Sequence, residues 1–209
     1  GNLQPFTINS QGHVNHERVM SMPESAEATS IAISASGDRV AVGTARGEVL
    51  LWDRDLRQRR QTLVGHESRV TRLTFIDEDL LVSGSLDKTA RVWDVNESEQ
   101  LETCWHIAAV RDLAVRRIKS ELILVTAVAD SSSGRAVVWS IDPASLRSTR
   151  HGEFTQHDAP VTSVSLAPDG MTAASGDAAG NVLLWRPQDA VAHRADRPKQ
   201  EHRTRIYRL

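Results

Sequence analysis

Apolar positions along this chain recur in a fixed local pattern. Four times an apolar residue is followed by others three and five places on: Ala28/Ile31/Ile33, Val70/Leu73/Phe75, Val110/Leu113/Val115 and Val161/Val164/Leu166. A step of three and then two fits neither the 3.6-residue helical period nor the alternation of a plain strand. It fits a strand carrying a β-bulge near its start, after which alternate side chains return to one face. Turn formers follow in three units, Ser36-Gly37-Asp38, Asp77-Glu78-Asp79 and Pro168-Asp169-Gly170. A second short apolar strand comes next: Val40-Ala41-Val42, Leu80-Leu81-Val82, Leu122-Ile123-Leu124-Val125 and Thr172-Ala173-Ala174. Each unit then closes on a strand ending in tryptophan, at Trp52, Trp93, Trp139 and Trp185. The later strands are apolar almost throughout, as strands covered on two faces are. The one helical candidate, Pro143-Ala144-Ser145-Leu146, amounts to a turn.

The tryptophans set the period. They stand 41, 46 and 46 residues apart, and a glycine (Gly43, Gly84, Gly176) precedes three of them by nine positions. Five of the nine aromatic residues are tryptophan, a share that points to one repeated role. Self-similarity at this period marks a stacked array. Each unit reads as an antiparallel sheet too small to bury itself, needing neighbours on both sides. In the second unit, Gly65-His66, Ser83-Gly84-Ser85, Asp87 and Trp93-Asp94 resemble the signature of the WD-repeat family, with His66 twenty-seven residues before Trp93. The resemblance runs over residues 24–186.

It implies an all-β fold, a β-propeller of WD-type blades. Four complete four-stranded antiparallel blades are expected over residues 24–190, with a partial blade or outer strand over 1–23 and a basic tail over 191–209. In the first stretch, Phe6-Thr7-Ile8 reads as the end of a tryptophan-type strand and His16 to Met22 as the outer strand after it. Propellers of this family usually close with about seven blades. The chain is therefore expected to be the C-terminal part of a larger ring, completed by a longer chain or by a homo-oligomer.

The resemblance also implies a hydrogen-bonded set in the second unit, His66, Ser83, Asp87 and Trp93. Serine, histidine and aspartate together also make an acyl-transfer triad. A nucleophile needs an open pocket and an oxyanion hole, and nothing local suggests either, so the set reads as scaffold. The fourth unit keeps His157, Ser175 and Trp185 but has Ala179 at the aspartate position. The first has Glu24 and Arg46 where the histidine and aspartate belong. The third has His106 and Trp139, with a linking segment about five residues longer. Only the second unit is expected to build the full set.

Composition narrows function mainly by exclusion. A formal net charge of −2 implies no global pull toward nucleic acid or an anionic membrane. The longest apolar run, Leu122 to Ala129, is far short of the ~20 residues of a membrane helix. The single Cys104 rules out an internal disulfide and reads as a small, partly buried apolar residue. His13, His16 and Glu17 resemble a scrap of metal site, but strand positions three apart face opposite ways. No metal and no cofactor is expected.

The chain thus reads as a cytoplasmic, non-catalytic interaction scaffold that binds other proteins or peptides through its propeller rim. The candidate contacts are Glu27, Thr29, Arg69, Thr71, Leu86, Arg111, Pro160 and Thr162, with the added polar stretch Asp130, Ser131, Ser132, Ser133, Gly134 and Arg135. Arg69, Arg111 and Arg135 would form a basic stretch suited to acidic peptides or phosphate groups. A different reading is the regulatory or sensor portion of a larger multidomain enzyme such as a kinase. A third is nucleic-acid association through residues 193–209, where six basic residues against Asp196 and Glu201 give +4. Interleaved acids and a lone stacking candidate, Tyr207, disfavour it. The alternation Thr204-Arg205-Ile206-Tyr207-Arg208-Leu209 would also serve as an edge strand.

Overall fold

The computed structural model describes residues 26–53, 59–130 and 134–190, together with the backbone of four short N-terminal strands. Those four are β1 (Asn2–Leu3), β2 (Phe6–Ile8), β3 (Val14–His16) and β4 (Met20–Ser21). β2 pairs with β3 and β1 with β4, all antiparallel. Four larger antiparallel sheets follow in chain order. The first blade is β5 (Ala28–Ile33), β6 (Arg39–Thr44), β7 (Val49–Asp53) and β8 (Arg59–Leu63). The second is β9 (Val70–Phe75), β10 (Leu80–Ser85), β11 (Thr89–Asp94) and β12 (Glu99–Trp105). The third is β13 (Ala109–Ile118), β14 (Glu121–Ala129), β15 (Gly134–Ile141) and β16 (Ser148–Phe154). The fourth is β17 (Val161–Leu166), β18 (Ala173–Asp177) and β19 (Val182–Trp185).

Each blade is thus a simple meander, and the fold is the all-β array of WD-type blades that the repeat implied. Among the described residues the fourth blade has three strands where four were expected. After Trp185 the chain enters a 3-10 turn, Pro187–Asp189, with the buried Pro187 at its first position. A proline has no N–H to add to a ladder and its fixed φ starts a helical turn. Pro143 to Leu146 is a turn, as the sequence implied.

The expected bulge occurs in all four first strands. The register slips between Ala28 and Ser30, opposite Gly84 and Ser85, between Val110 and Asp112, and between Val161 and Ser163. The residues squeezed out of the pairing are Thr29, Thr71, Arg111 and Thr162. After the bulges of β9, β13 and β17 the apolar positions face the preceding blade. Adjacent blades meet along their first strands, β5 with β9, β9 with β13 and β13 with β17. Three apolar clusters fill the junctions: Val49, Leu51 and Leu63 with Leu73 and Trp93; Ala90 and Val92 with Leu113 and Trp139; Ala136 and Val138 with Val164 and Trp185. Trp93, Trp139 and Trp185 therefore each cover the blade before their own.

Polar links fasten the same junctions. The Thr29 hydroxyl donates to the Val70 carbonyl at 2.5 Å, and the Thr71 hydroxyl to that of Val110 at 2.9 Å. At the opposite edge, the Glu78 carboxylate accepts from the Ser36 N–H and hydroxyl at 2.8 and 2.9 Å. Arg117 pairs with Asp77 at 2.7 Å. No helix among the described residues is long and apolar enough to cross a membrane.

Candidate functional site: the rim loops and the histidine networks beneath them

In the second blade the loop leading in carries His66, β10 carries Ser83, the β10–β11 turn carries Asp87, and β11 ends near Trp93. His66 Nδ1 lies 2.8 Å from Asp87 Oδ2 and Nε2 lies 2.6 Å from Ser83 Oγ, while the Trp93 indole N–H donates to Ser83 Oγ at 2.7 Å. A carboxylate only accepts, so Nδ1 carries the proton and donates. Nε2 is then the acceptor for the Ser83 hydroxyl, and every member has one consistent role. Asp87 also accepts the N–H groups of Glu67 and Thr89 and the Thr89 hydroxyl, at 3.1, 2.9 and 2.7 Å. Burial pushes the Asp87 carboxyl upward, but the hydrogen bonds from His66, Thr89 and Glu67 outweigh it and hold the group well below the usual carboxylate range.

The fourth blade corrects the expectation that only the second could build this set. His157 Nδ1 lies 2.9 Å from Asp177 Oδ2, its Nε2 2.7 Å from Ser175 Oγ, and Trp185 Nε1 donates to Ser175 at 3.0 Å. The aspartate stands two residues after the serine instead of four, so Ala179 is not a loss. Ser175 and Asp177 alternate along β18 and share a face, which carries both side chains toward the histidine. That period-two spacing was the available signal. Burial opposes ionisation of Asp177 too, but His157, Asn181 and the Ala179 N–H bring it down to about 2.

The third blade is incomplete. His106 Nε2 lies 2.8 Å from Thr126 Oγ1 and accepts the Trp139 indole N–H at 3.2 Å. That acceptance places the ring proton on Nδ1, which is buried with no hydrogen-bond partner. Asp130, four residues after Thr126 as Asp87 is after Ser83, sits exposed at the end of a longer hairpin. Burial lowers the His106 pKa to about 4, keeping the ring neutral. The first blade has Val42 where the others place Ser83, Thr126 or Ser175, and Glu24 lies outside the described residues.

Above these networks lie the rim candidates. Carbonyls of the lead-in loops accept N–H groups from the hairpin tips: Glu27 from Ala45, Arg69 from Leu86 and Pro160 from Ala178, at 3.0, 3.0 and 2.9 Å. Glu27 and Arg69 are exposed and pair with each other at 3.2 Å. Arg111 and Thr162 are exposed, while Thr29, Thr71, Leu86 and Pro160 are half-buried. Arg135 pairs with the buried Glu153 at 3.1 Å, and Arg150 contacts the same carboxylate. Two of the three arginines read as a basic stretch are thus already matched by acids.

The added length of the third unit is divided between its two hairpins, not confined to the rim stretch. β14 and β15 pair out to Ala129 and Gly134, so the linking loop is Asp130 to Ser133, of which Ser131, Ser132 and Ser133 lie outside the described residues. A Cβ on Gly134 would strike the backbone of Pro160 and Val161, so this glycine of the rim stretch is held against the next blade, a contact that reading the stretch as a partner surface missed. Trp105 and Ile107, 69% and 65% exposed on either side of His106, were missed as well. Burial pushes the Cys104 thiol up to about 12, so it is inert. No group of three or more metal-ligating side chains occurs among the described residues, which exclude those of His13, His16 and Glu17.

The family described as WD domain, G-beta repeat, matches residues 57–94 and 148–186. Pre-mRNA-processing factor 19 of Oryza sativa subsp. japonica is 30% identical over 157 residues, covering 75% of this chain and 29% of that protein. The target of rapamycin complex subunit wat1 of Schizosaccharomyces pombe is 29% identical over 126 residues, covering 60% and 38%. A guanine nucleotide-binding protein subunit beta of Nicotiana tabacum is 28% identical over 169 residues, covering 77% and 44%. The chain spans less than half the length of each of these relatives. Among solved structures, the computationally designed Ika4 protein superposes with a TM-score of 0.60 at 27% identity, over 78% of this chain and 93% of that one.

Proposed function

The chain belongs to the WD-repeat family, and from that premise we propose that it is a non-catalytic scaffold whose rim loops bind other proteins. The observation that carries this reading is the closed state of the Ser-His-Asp constellations that resemble a catalytic triad, the second-blade set first. Ser83 is fully buried, its oxygen accepts the Trp93 N–H and its proton is committed to His66. A nucleophile must reach substrate beside donors for an oxyanion, whereas this serine is locked under the rim. The fourth blade repeats the arrangement, as a structural element would and a single active site would not. What remains exposed at that edge is a set of loop side chains, among them Glu27, Arg69, Arg111 and Asp130. Rigid loops with exposed side chains suit recognition. Relatives named as a complex subunit and as a guanine nucleotide-binding protein subunit support the same reading.

The test is comparative capture with a folding control. Arg111→Glu with Asp130→Lys on the rim should lose partners that the unsubstituted chain retains. Lys119→Glu, on the opposite edge in the β13–β14 turn, should keep them. Equal capture by both variants would overturn rim binding.

A further inference from the structure

The repeats act as controls for one another, and the lead-in of the third blade departs from them. In the second blade one oxygen, Asp87 Oδ2, takes two donors, His66 Nδ1 at 2.8 Å and the Glu67 N–H at 3.1 Å. Their counterparts in the third blade are His106 Nδ1 and the Ile107 N–H, since His106 precedes Val110 by four places as His66 precedes Val70. Among the described residues no carboxylate meets either donor. Cations stand nearby instead. Thr89, whose hydroxyl lies 3.1 Å from His66 Nδ1, is matched four places before the third-blade tryptophan by Arg135. Arg135 and Arg150 both pair with the buried Glu153. Burial and, after it, the charge of Arg150 keep the His106 ring neutral. The slot thus holds donors and positive charge where the second blade has an acid.

The surface beside this slot is apolar and basic. Trp105 and Ile107, on either side of His106, are largely exposed, whereas the other four tryptophans are at most 8% exposed. At the position of Ile107 the second and fourth blades carry acids, Glu67 and Asp158. The Lys88 carbonyl accepts the His106 N–H at 2.9 Å, which brings an exposed lysine to the same edge. An exposed tryptophan is a common anchor of interfaces, and the charge beside it selects what it anchors.

We propose that the third-blade lead-in, Trp105 to Ile107, docks an acidic segment of a partner protein. One carboxylate of that segment takes the place that Asp87 holds in the second blade, and an apolar side chain next to it packs on Trp105 and Ile107. The proposal rests on the rim-binding reading and adds to it a position and a partner chemistry. A carboxylate is the fitting anion because both complete blades close on one, Asp87 and Asp177. His106 Nδ1 is buried in the free chain, so the Ile107 N–H is bonded first and the side chains over the ring shift to admit the second bond. Charge-assisted bonds of this kind are the stronger class, and this one relieves a donor left without an acceptor.

Trp105, the one tryptophan open to solvent, is a built-in reporter. A short capped peptide of alternating aspartate and leucine, titrated into the whole chain, should shift the tryptophan emission to shorter wavelength and saturate. The same peptide with asparagine for aspartate should bind about tenfold more weakly or worse. Ile107→Glu gives the third blade the acid that the second has there, and Trp105→Thr gives it the Thr155 of the fourth. Each variant should keep the urea midpoint, because both side chains are exposed, and lose about tenfold or more in affinity by calorimetry. The proposal is overturned by the absence of a saturable shift, by equal binding of the asparagine peptide, or by unaltered affinity in both variants. Partner capture separates the two readings. If Arg111→Glu with Asp130→Lys loses partners that Ile107→Glu retains, rim binding stands and this site alone is removed.

Discussion

The second and third blades hold their lead-in loops by different means. The second has strands of six, six, six and seven residues and a complete polar network from Trp93 to Asp87. The third has strands of ten, nine, eight and seven residues and a histidine whose Nδ1 has no partner. β13 and β14 pair at nine positions where β9 and β10 pair at five. An unmatched buried polar group costs about 1–3 kcal/mol, and each backbone hydrogen bond returns about 0.5–1.5 kcal/mol net. A few extra rungs offset the missing acid. Side-chain closure and a longer ladder are thus interchangeable supports for one loop position.

The comparison breaks most directly at the histidines. His66→Ala leaves the Asp87 carboxylate buried without its main partner and the Ser83 hydroxyl without an acceptor. It should cost about 3–5 kcal/mol, read as a shift of the urea midpoint. His106→Ala removes a ring already half unmatched and should cost about 1–2 kcal/mol. Equal losses would mean that the acid adds nothing to the second blade.

Asp177 comes next, because the fourth blade should behave like the second. Asp177→Asn should cost about 2–3 kcal/mol, read as a shift of the urea midpoint. The acid arm of the stability curve carries the sign. With a folded pKa of about 2 against ~3.9 unfolded, the contribution of Asp177 is whole above pH ~4. It is lost as pH falls through about 2, where the folded carboxyl finally takes a proton. The Asn variant should lack that slope, and an unchanged slope would remove Asp177 from the network.

Why the fourth-blade network is hidden in the sequence, while the fold is not, comes down to how local each signal is. The bulges were legible because a step of three and then two suits almost no backbone except a bulged strand. The tryptophan strands were legible because burial on two faces leaves a run such as Val49-Leu50-Leu51-Trp52. Each signal is local and repeats four times. The acid of the network is not local in that sense. What the network needs is a carboxylate near His Nδ1, and two offsets from the serine reach it, so a search at one fixed offset misses Asp177. The arginines failed for a related reason. Arg69 meets Glu27 across a 42-residue separation and Arg135 meets Glu153 across 18, pairings that only the packing of blades and strands creates.

His106 sharpens the comparison at milder acidity. Its folded pKa of about 4 lies below the ~6.5 of an unfolded histidine. Below pH ~6.5 the unfolded chain binds a proton that the folded chain refuses, so stability declines until about pH 4. The half-buried ring should account for about 1–2 kcal/mol of that decline, less than the full shift would give because water reaches part of it. His106→Gln should flatten the profile between those limits while leaving the Asp177 slope below pH 4. A profile unchanged above pH 4 would mean that the third blade already supplies an acceptor.

The smallest effect should come from the rim charge nearest the second network. Arg69 and Glu27 are 46% and 67% exposed in their side chains, and such pairs contribute about 0–1 kcal/mol, screened further by salt. Arg69→Met should therefore move the urea midpoint almost imperceptibly, and equally at low and high salt. The lead-in loop stays in place because its carbonyl still accepts the Leu86 N–H and because His66 and Asp87 hold it from below. Glu153→Gln in the third blade should cost more, since that carboxylate is buried between Arg135 and Arg150. If Arg69→Met destabilised the chain as much as Glu153→Gln, the second-blade rim would be part of the scaffold. If it does not, its side chains are available for recognition at no cost to the fold.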